Sequence, residues 1–196
     1  MHSARRGLGG FTHAVLVAIP IVIAVAVGCS SADDGEAASD TTDTTDTTAV
    51  QDVVVDASDF KPLAEMTRVR GFFVDNVAGD LEATLAVAND PEGGTYPVGT
   101  VIQLIPQEAM VKRAAGFDPD SNDWEFFTLD VTAAGTAIVG RGGTEVVNRF
   151  NGTSCAGCHG AAEPQFDFVC EHDHGCAPLP VGDDVITAIQ NADPRR

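Results

Sequence analysis

Cys155-Ala156-Gly157-Cys158-His159 carries the clearest chemistry in this 196-residue chain. Two cysteines three positions apart fall on one side of a helical turn, so each thiol can form a thioether with one vinyl group of a haem. The histidine that follows then sits under the iron as its proximal ligand. Ala156 and Gly157 are small enough to let the backbone approach the porphyrin edge. The run therefore predicts one covalent haem c, held by Cys155 and Cys158 and ligated by His159.

A bare Cys-x-x-Cys pair would also suit a thioredoxin-like redox site or half of a zinc site. The zinc alternative draws its second pair from Cys170, His172, His174 and Cys176. The five cysteines otherwise divide without remainder. Cys29 goes to lipid, Cys155 and Cys158 to haem, and Cys170 and Cys176 to a disulfide that an oxidising compartment permits.

Nothing in the spacing supplies an obvious sixth iron ligand. No methionine follows Met110, and neither Met66 nor Met110 has positional support as a ligand. His172 and His174 are alternatives, although both also read as exposed residues of an acidic loop. The expectation is a five-coordinate haem with an open distal face.

The elements that must position this motif begin after a targeting segment. Arg5 and Arg6 form a basic start, and Ala14 to Val27 is an almost unbroken apolar run ending in Gly28-Cys29. It is short for a membrane span and has signal-peptide flanks. Val25-Ala26-Val27-Gly28-Cys29 is similar to a bacterial lipobox, which predicts a signal peptide over 1–28 and lipidation of Cys29; an ordinary signal peptide with an incidental cysteine is the alternative. The protein is thus expected in the bacterial cell envelope, periplasmic or on the outer surface, joined to the membrane by its lipid anchor. Residues 29–57 read as a tether, with a Thr-Thr-Asp repeat and too little apolar surface to fold. The haem domain is expected over 58–196.

The full chain has a formal charge of −18. Residues 1–28 hold two of its eleven basic residues and none of its 29 acidic ones, so the mature chain stands at about −20. That charge repels nucleic acid and anionic headgroups and favours a basic redox partner protein.

Alternation of apolar and polar residues predicts a mainly β domain built on an antiparallel sheet. Strands are expected over Arg68–Val74, from Leu81 to Val87 (with a short helix as the alternative there), over Val98–Ile105 up to Pro106, over Ala109–Arg113, and over Trp124–Val131. In the last of these Trp124, Phe126 and Thr128 should face one side, and Glu125, Phe127, Leu129 and Val131 the other. Thr136–Gly140 should return antiparallel across a turn at Ala133–Gly135. Asn89–Pro97 reads as a turn region. Helix is expected at the haem motif and over Asp183–Ala192, on a stripe of Val185, Ile186 and Ile189.

The order of these pieces resembles the cytochrome P-460 and cytochrome c′-beta family, β-sheet proteins with one c-type haem near the C-terminus. The resemblance rests on Pro97-Val98-Gly99-Thr100-Val101, Glu108-Ala109-Met110-Val111-Lys112, Asn122-Asp123-Trp124-Glu125-Phe126-Phe127 and the motif at 155–159. Asp167-Phe168-Val169 also looks like the short strand that follows the motif in that family. The resemblance implies a distal carboxylate at Glu108, acting as proton acceptor beside an iron-bound nitrogen species. It also implies a distal arginine, for which Arg70 is the candidate, unless Ala83 occupies that position. One departure matters. The hydroxylamine-oxidising members carry a haem-linked lysine shortly after the Gly-Thr-Val run, where this chain has Gln103 and Leu104. The chain therefore looks closer to the cytochrome c′-beta side, in which an apolar pocket binds a small gas such as nitric oxide. Phe72, Phe73, Phe126 and Phe127 are the aromatic residues that could cap the haem. Electron transfer or nitric oxide binding is the expected function, with oxidation of hydroxylamine or nitric oxide through Glu108 as the alternative.

Overall fold

Six short segments in which side chains alternate between two faces build the expected sheet. The computed structural model describes residues 50–195; Arg5, Arg6, the apolar run at 14–27 and Cys29 lie outside them. Strands β1 (Thr67–Val69), β2 (Phe72–Asn76), β3 (Thr100–Gln103), β4 (Glu108–Lys112), β5 (Trp124–Thr132) and β6 (Gly135–Gly142) pair in sequence order, each antiparallel to the next. The mainly β, antiparallel expectation holds. Met110 pairs with Phe126, and Phe127 with Arg141, while a bulge at Thr128/Leu129 offsets the rest of the β5–β6 register.

The sheet is buried on both faces. Phe72, Val74, Ile102, Met110, Trp124 and Phe126 point to one core, which also contains Ala156 and Val169. Phe73, Val101, Ala109, Val111, Phe127 and Leu129 point to the other, against Val55, Phe60, Leu63 and Met66. Each such apolar side chain, fully buried, contributes about 1.5–3 kcal/mol. The predicted alternation along β5 is therefore correct, and Thr136–Gly140 does return antiparallel, within β6.

Several boundaries differ from expectation, each for a local reason. Arg68–Val74 is not one strand but the hairpin β1–β2, because Arg70 takes a left-handed conformation (φ 48°) at the turn. The stretch from Leu81 to Val87 takes the helical alternative rather than the strand; it belongs to helix α1 (Leu81–Asn89). Asp80 caps that helix by accepting from the Ala83 N–H over 3.2 Å, and the Leu/Glu/Ala-rich sequence favours helix. The apparent alternation of Leu81 and Leu85 is also an i, i+4 pair, which packs one helical face on the core. β3 is shorter than Val98–Ile105.

The second face also moves the start of the folded unit. Val55 is buried, and Asp52 pairs with Arg113 over 2.6 Å, so residues 50–57 pack on the sheet rather than end the tether. Arg113 and Arg141 both reach the buried carboxylate of Glu125. Two guanidiniums on one buried acid supply the pairing that such a charge requires.

Beyond the sheet lie the helical turn α2 (Cys155–His159) and helix α3 (Asp183–Asn191). α3 does not bury its predicted stripe intact: Val185 is exposed, and Gln190 takes its place in the contact. The Gln190 amide donates to Gly71 O and Leu104 O, both at 2.8 Å, and so ties the helix to the ends of β2 and β3. No helix among the described residues is long and apolar enough to cross a membrane.

Candidate functional site

Ser154 starts the motif turn. Its hydroxyl accepts from the Gly157 N–H over 3.0 Å, and its carbonyl accepts from Cys158 N over 3.1 Å. The Cys155 N–H donates to Val146 O, while Val147 and Ser154 form an isolated antiparallel bridge. The turn is thereby held to the segment leaving β6. Ala156 is the residue of the turn driven into the core, leaving Cys158 exposed and Cys155 half-buried, both as free thiols. Burial pushes the Cys155 thiol up to about 11, with the negative charges of Glu108 and Cys158 acting in the same direction.

His159 is fixed more tightly. Its Nδ1 lies 2.8 Å from the Phe168 carbonyl. A carbonyl only accepts, so Nδ1 carries the proton and Nε2 keeps the lone pair that a metal needs. No hydrogen bond involves Nε2 among the described residues. The ring packs on Phe126 with centroids 5.3 Å apart. Burial lowers the imidazole pKa, partly offset by the bond to Phe168, which favours the neutral ligand form.

The segment that supplies this carbonyl is not the expected strand at Asp167–Val169. A short 3-10 turn at Pro164–Phe166 is followed by Asp167 and Phe168, both left-handed (φ 50° and 64°). Two successive non-glycine residues in that region are costly and persist only where surrounding contacts hold them. Here Asp167 is buried and makes those contacts. Its carboxylate accepts from Lys112 Nζ (2.7 Å), Asn122 Nδ2 (2.5 Å) and the Tyr96 N–H (2.7 Å), and its carbonyl accepts from Trp124 Nε1 (2.7 Å). Burial raises the Asp167 pKa against the pull of Lys112 and of the hydrogen bonds.

Glu108 lies on the same sheet face as the motif, at the edge of β4. Asn148 Nδ2 donates to its carboxylate over 2.8 Å, and the Arg149 N–H reaches it at 3.4 Å. Burial raises its pKa, with Arg149 opposing. Arg70 is elsewhere: its guanidinium pairs with Glu171 and donates to Ala88 O, and no contact joins it to Glu108. Phe72 and Phe126 face the motif side, whereas Phe73 and Phe127 face the opposite core and cannot cap the motif. Met66 also lies in that opposite core, but Met110 shares the motif-side core with Ala156.

Cys170 and Cys176 form a disulfide, as expected. It encloses His172, which is exposed, and His174, whose Nδ1 bonds Val169 O at 2.7 Å and whose ring stacks on Phe166 at 3.6 Å. Both sulfurs of the zinc alternative's second pair are consumed by this bond. No group of three or more His, Cys, Asp or Glu side chains suited to a metal ion occurs among the described residues. The donor set at 155–159 instead suits a covalent haem, with two free thiols on one turn and one imidazole whose Nε2 is uncommitted.

Sequence reasoning placed Asn122 and Asp167 only within resembling segments, gave neither a role, and did not name Asn148. The available signal was weak: a single acid between phenylalanines in Phe166-Asp167-Phe168. Compared with protein-family models, with curated proteins and with solved structures, the chain finds no match in any of the three.

Proposed function

We propose that this chain is an exported, lipid-anchored protein that carries one haem c and works by one-electron transfer or by binding a small ligand such as nitric oxide. Cys155 and Cys158 hold the group, and His159 supplies the proximal imidazole. The observation that carries the reading is the His159 Nδ1–Phe168 carbonyl bond, which turns Nε2 into an uncommitted donor one residue beyond two free thiols. When bound, the haem supplies an iron centre for electron exchange and gas binding. The protein orients the imidazole and packs Phe126 beside it. The sequence resemblance to the cytochrome P-460 and cytochrome c′-beta family points the same way, and the absence of lysine at 103 and 104 favours its gas-binding side.

The test is direct. The mature chain, made in a host that attaches haem c, should keep a haem-dependent peroxidase stain and the mass increment after denaturation. Cys155→Ala with Cys158→Ala should lose both. An unmodified mass for the wild-type chain under those conditions would end the reading. Cys29→Ser should move the protein from the membrane to the soluble fraction.

A second reading has its own support. Glu108 is a partly buried carboxylate with a raised pKa, held by Asn148 on the motif side of the sheet. Such a group could accept a proton from hydroxylamine or another nitrogen substrate. In that case the protein is an oxidoreductase with Glu108 as its base. For gas binding, a five-coordinate ferric spectrum that changes with nitric oxide is expected; a low-spin six-coordinate spectrum would contradict an open distal face.

A further inference from the structure

We propose that Asp167 is the positioning residue for His159. It acts through the Phe168 carbonyl and thereby sets the tautomer, the ring orientation and the electron-donating strength of the imidazole. The proposal rests on the haem reading for its redox consequence, though its tautomer consequence belongs to the polypeptide alone.

The chain of contacts is continuous. The ammonium of Lys112, on β4, lies 2.7 Å from Asp167 Oδ1 and also donates to Asn122 O at 2.7 Å. The Asn122 amide donates to the same carboxylate oxygen, and the Tyr96 N–H donates to the other. Trp124, on β5 and fully buried, donates its indole N–H to the Asp167 carbonyl. Four donors from three separate regions of the chain thus fix one residue in the left-handed region. Phe168, forced into the same region, has its carbonyl aimed back at His159 Nδ1.

The energetic logic is one of compensation. A left-handed Asp–Phe pair is unfavourable locally, and a buried carboxylate is unfavourable without partners. Lys112 and the three N–H donors offset both, so the turn survives in one conformation. If the anchor is removed, the segment can relax toward ordinary backbone angles, and the Phe168 carbonyl leaves Nδ1. An imidazole that donates a strong Nδ1–H bond is a better donor at Nε2 and stabilises ferric over ferrous iron. Losing that bond therefore favours the ferrous state.

The test uses the mature full chain with Asp167→Asn, which keeps shape but removes the charge and one acceptor. Asn122→Gly is the milder second variant; Asn122 is itself left-handed, so glycine keeps the backbone and deletes a single donor. The haem-loaded protein is read by haem content and reduction potential, and the haem-free protein by the ¹⁵N shifts of the His159 ring. Expected are an Nδ1-protonated wild-type imidazole and mixed tautomers in Asp167→Asn. The haem content should be retained while the ferrous form gains about tenfold, or about 59 mV for one electron, with a smaller shift of the same sign in Asn122→Gly. If Asp167→Asn does not fold, Asn122→Gly decides. Folded variants with wild-type tautomer and potential would overturn the proposal. A wild-type chain that takes up no haem but holds the Nδ1 tautomer, lost in the variants, would sink the haem reading and leave the positioning role standing.

Discussion

The Asn148 side-chain amide donates to the Glu108 carboxylate over 2.8 Å and ties the loop that leads into Cys155 to the edge of β4. Asn148 also accepts from the N–H groups of Phe150 and Asn151, so one side chain both shapes the loop and holds the carboxylate. This relationship keeps Glu108 half-buried on the motif side, where its chemistry can be tested.

Glu108→Gln keeps the shape and the acceptor oxygen but removes the base. If the protein oxidises hydroxylamine or nitric oxide through Glu108, this change should abolish turnover and leave haem content unaltered. Equal steady-state activity would assign Glu108 to the loop contact alone.

Phe126 is buried and packs against the His159 ring. Phe126→Ala should cost about 3–5 kcal/mol, by loss of burial plus the cavity left behind. Val139→Ala, at an exposed position on β6, should stay within about 0.5 kcal/mol of the parent. Urea unfolding of the two variants makes the comparison; similar midpoints would remove Phe126 from the core that supports the histidine.

The disulfide joins cysteines six positions apart, and closing so short a loop stabilises by about 2 kcal/mol in the chain-entropy view. Cys170→Ser with Cys176→Ser should lower the unfolding free energy by that amount. If the chain carries the proposed haem, its retention on a denaturing gel should not change, because thioethers at Cys155 and Cys158 would not depend on this bond. A loss of haem in the double variant would link the two cysteine pairs.

Asp193 ties the C-terminus to the fold, accepting from Arg195 and from the Leu63 N–H. Burial alone would raise its pKa, but those hydrogen bonds and the Arg195 charge outweigh it and hold the carboxyl at about 2. A depressed carboxylate pKa means stability that is present above the unfolded value of about 3.9 and lost as pH falls through the folded value. Allowing for solvent screening, Asp193→Asn should cost about 1–2 kcal/mol near neutral pH. The gap between variant and parent should close between about pH 4 and pH 2. Denaturation curves that stay parallel across that range would refute the linkage.

The residue types alone were enough for the helical turn at Cys155–His159, the strand alternation of β5 and the pairing of Cys170 with Cys176. Spacing of three on a helical turn and period two on a strand are properties of local backbone geometry, so they are written in short stretches of chain. Leu81 to Val87 stayed open between strand and helix because Leu81 and Leu85 satisfy both periods, and only the Asp80 cap and the packing of one face decide for helix. The turn at Asp167–Phe168 could not be read at all. Its left-handed backbone is imposed by Lys112, Asn122, Tyr96 and Trp124, which lie 43–71 residues away in the chain. The same holds for the separation of Arg70 from Glu108, and for which of Phe126 and Phe127 faces the motif. Which neighbours a side chain meets is set by how the sheet folds over, and that depends on contacts no short window of sequence contains.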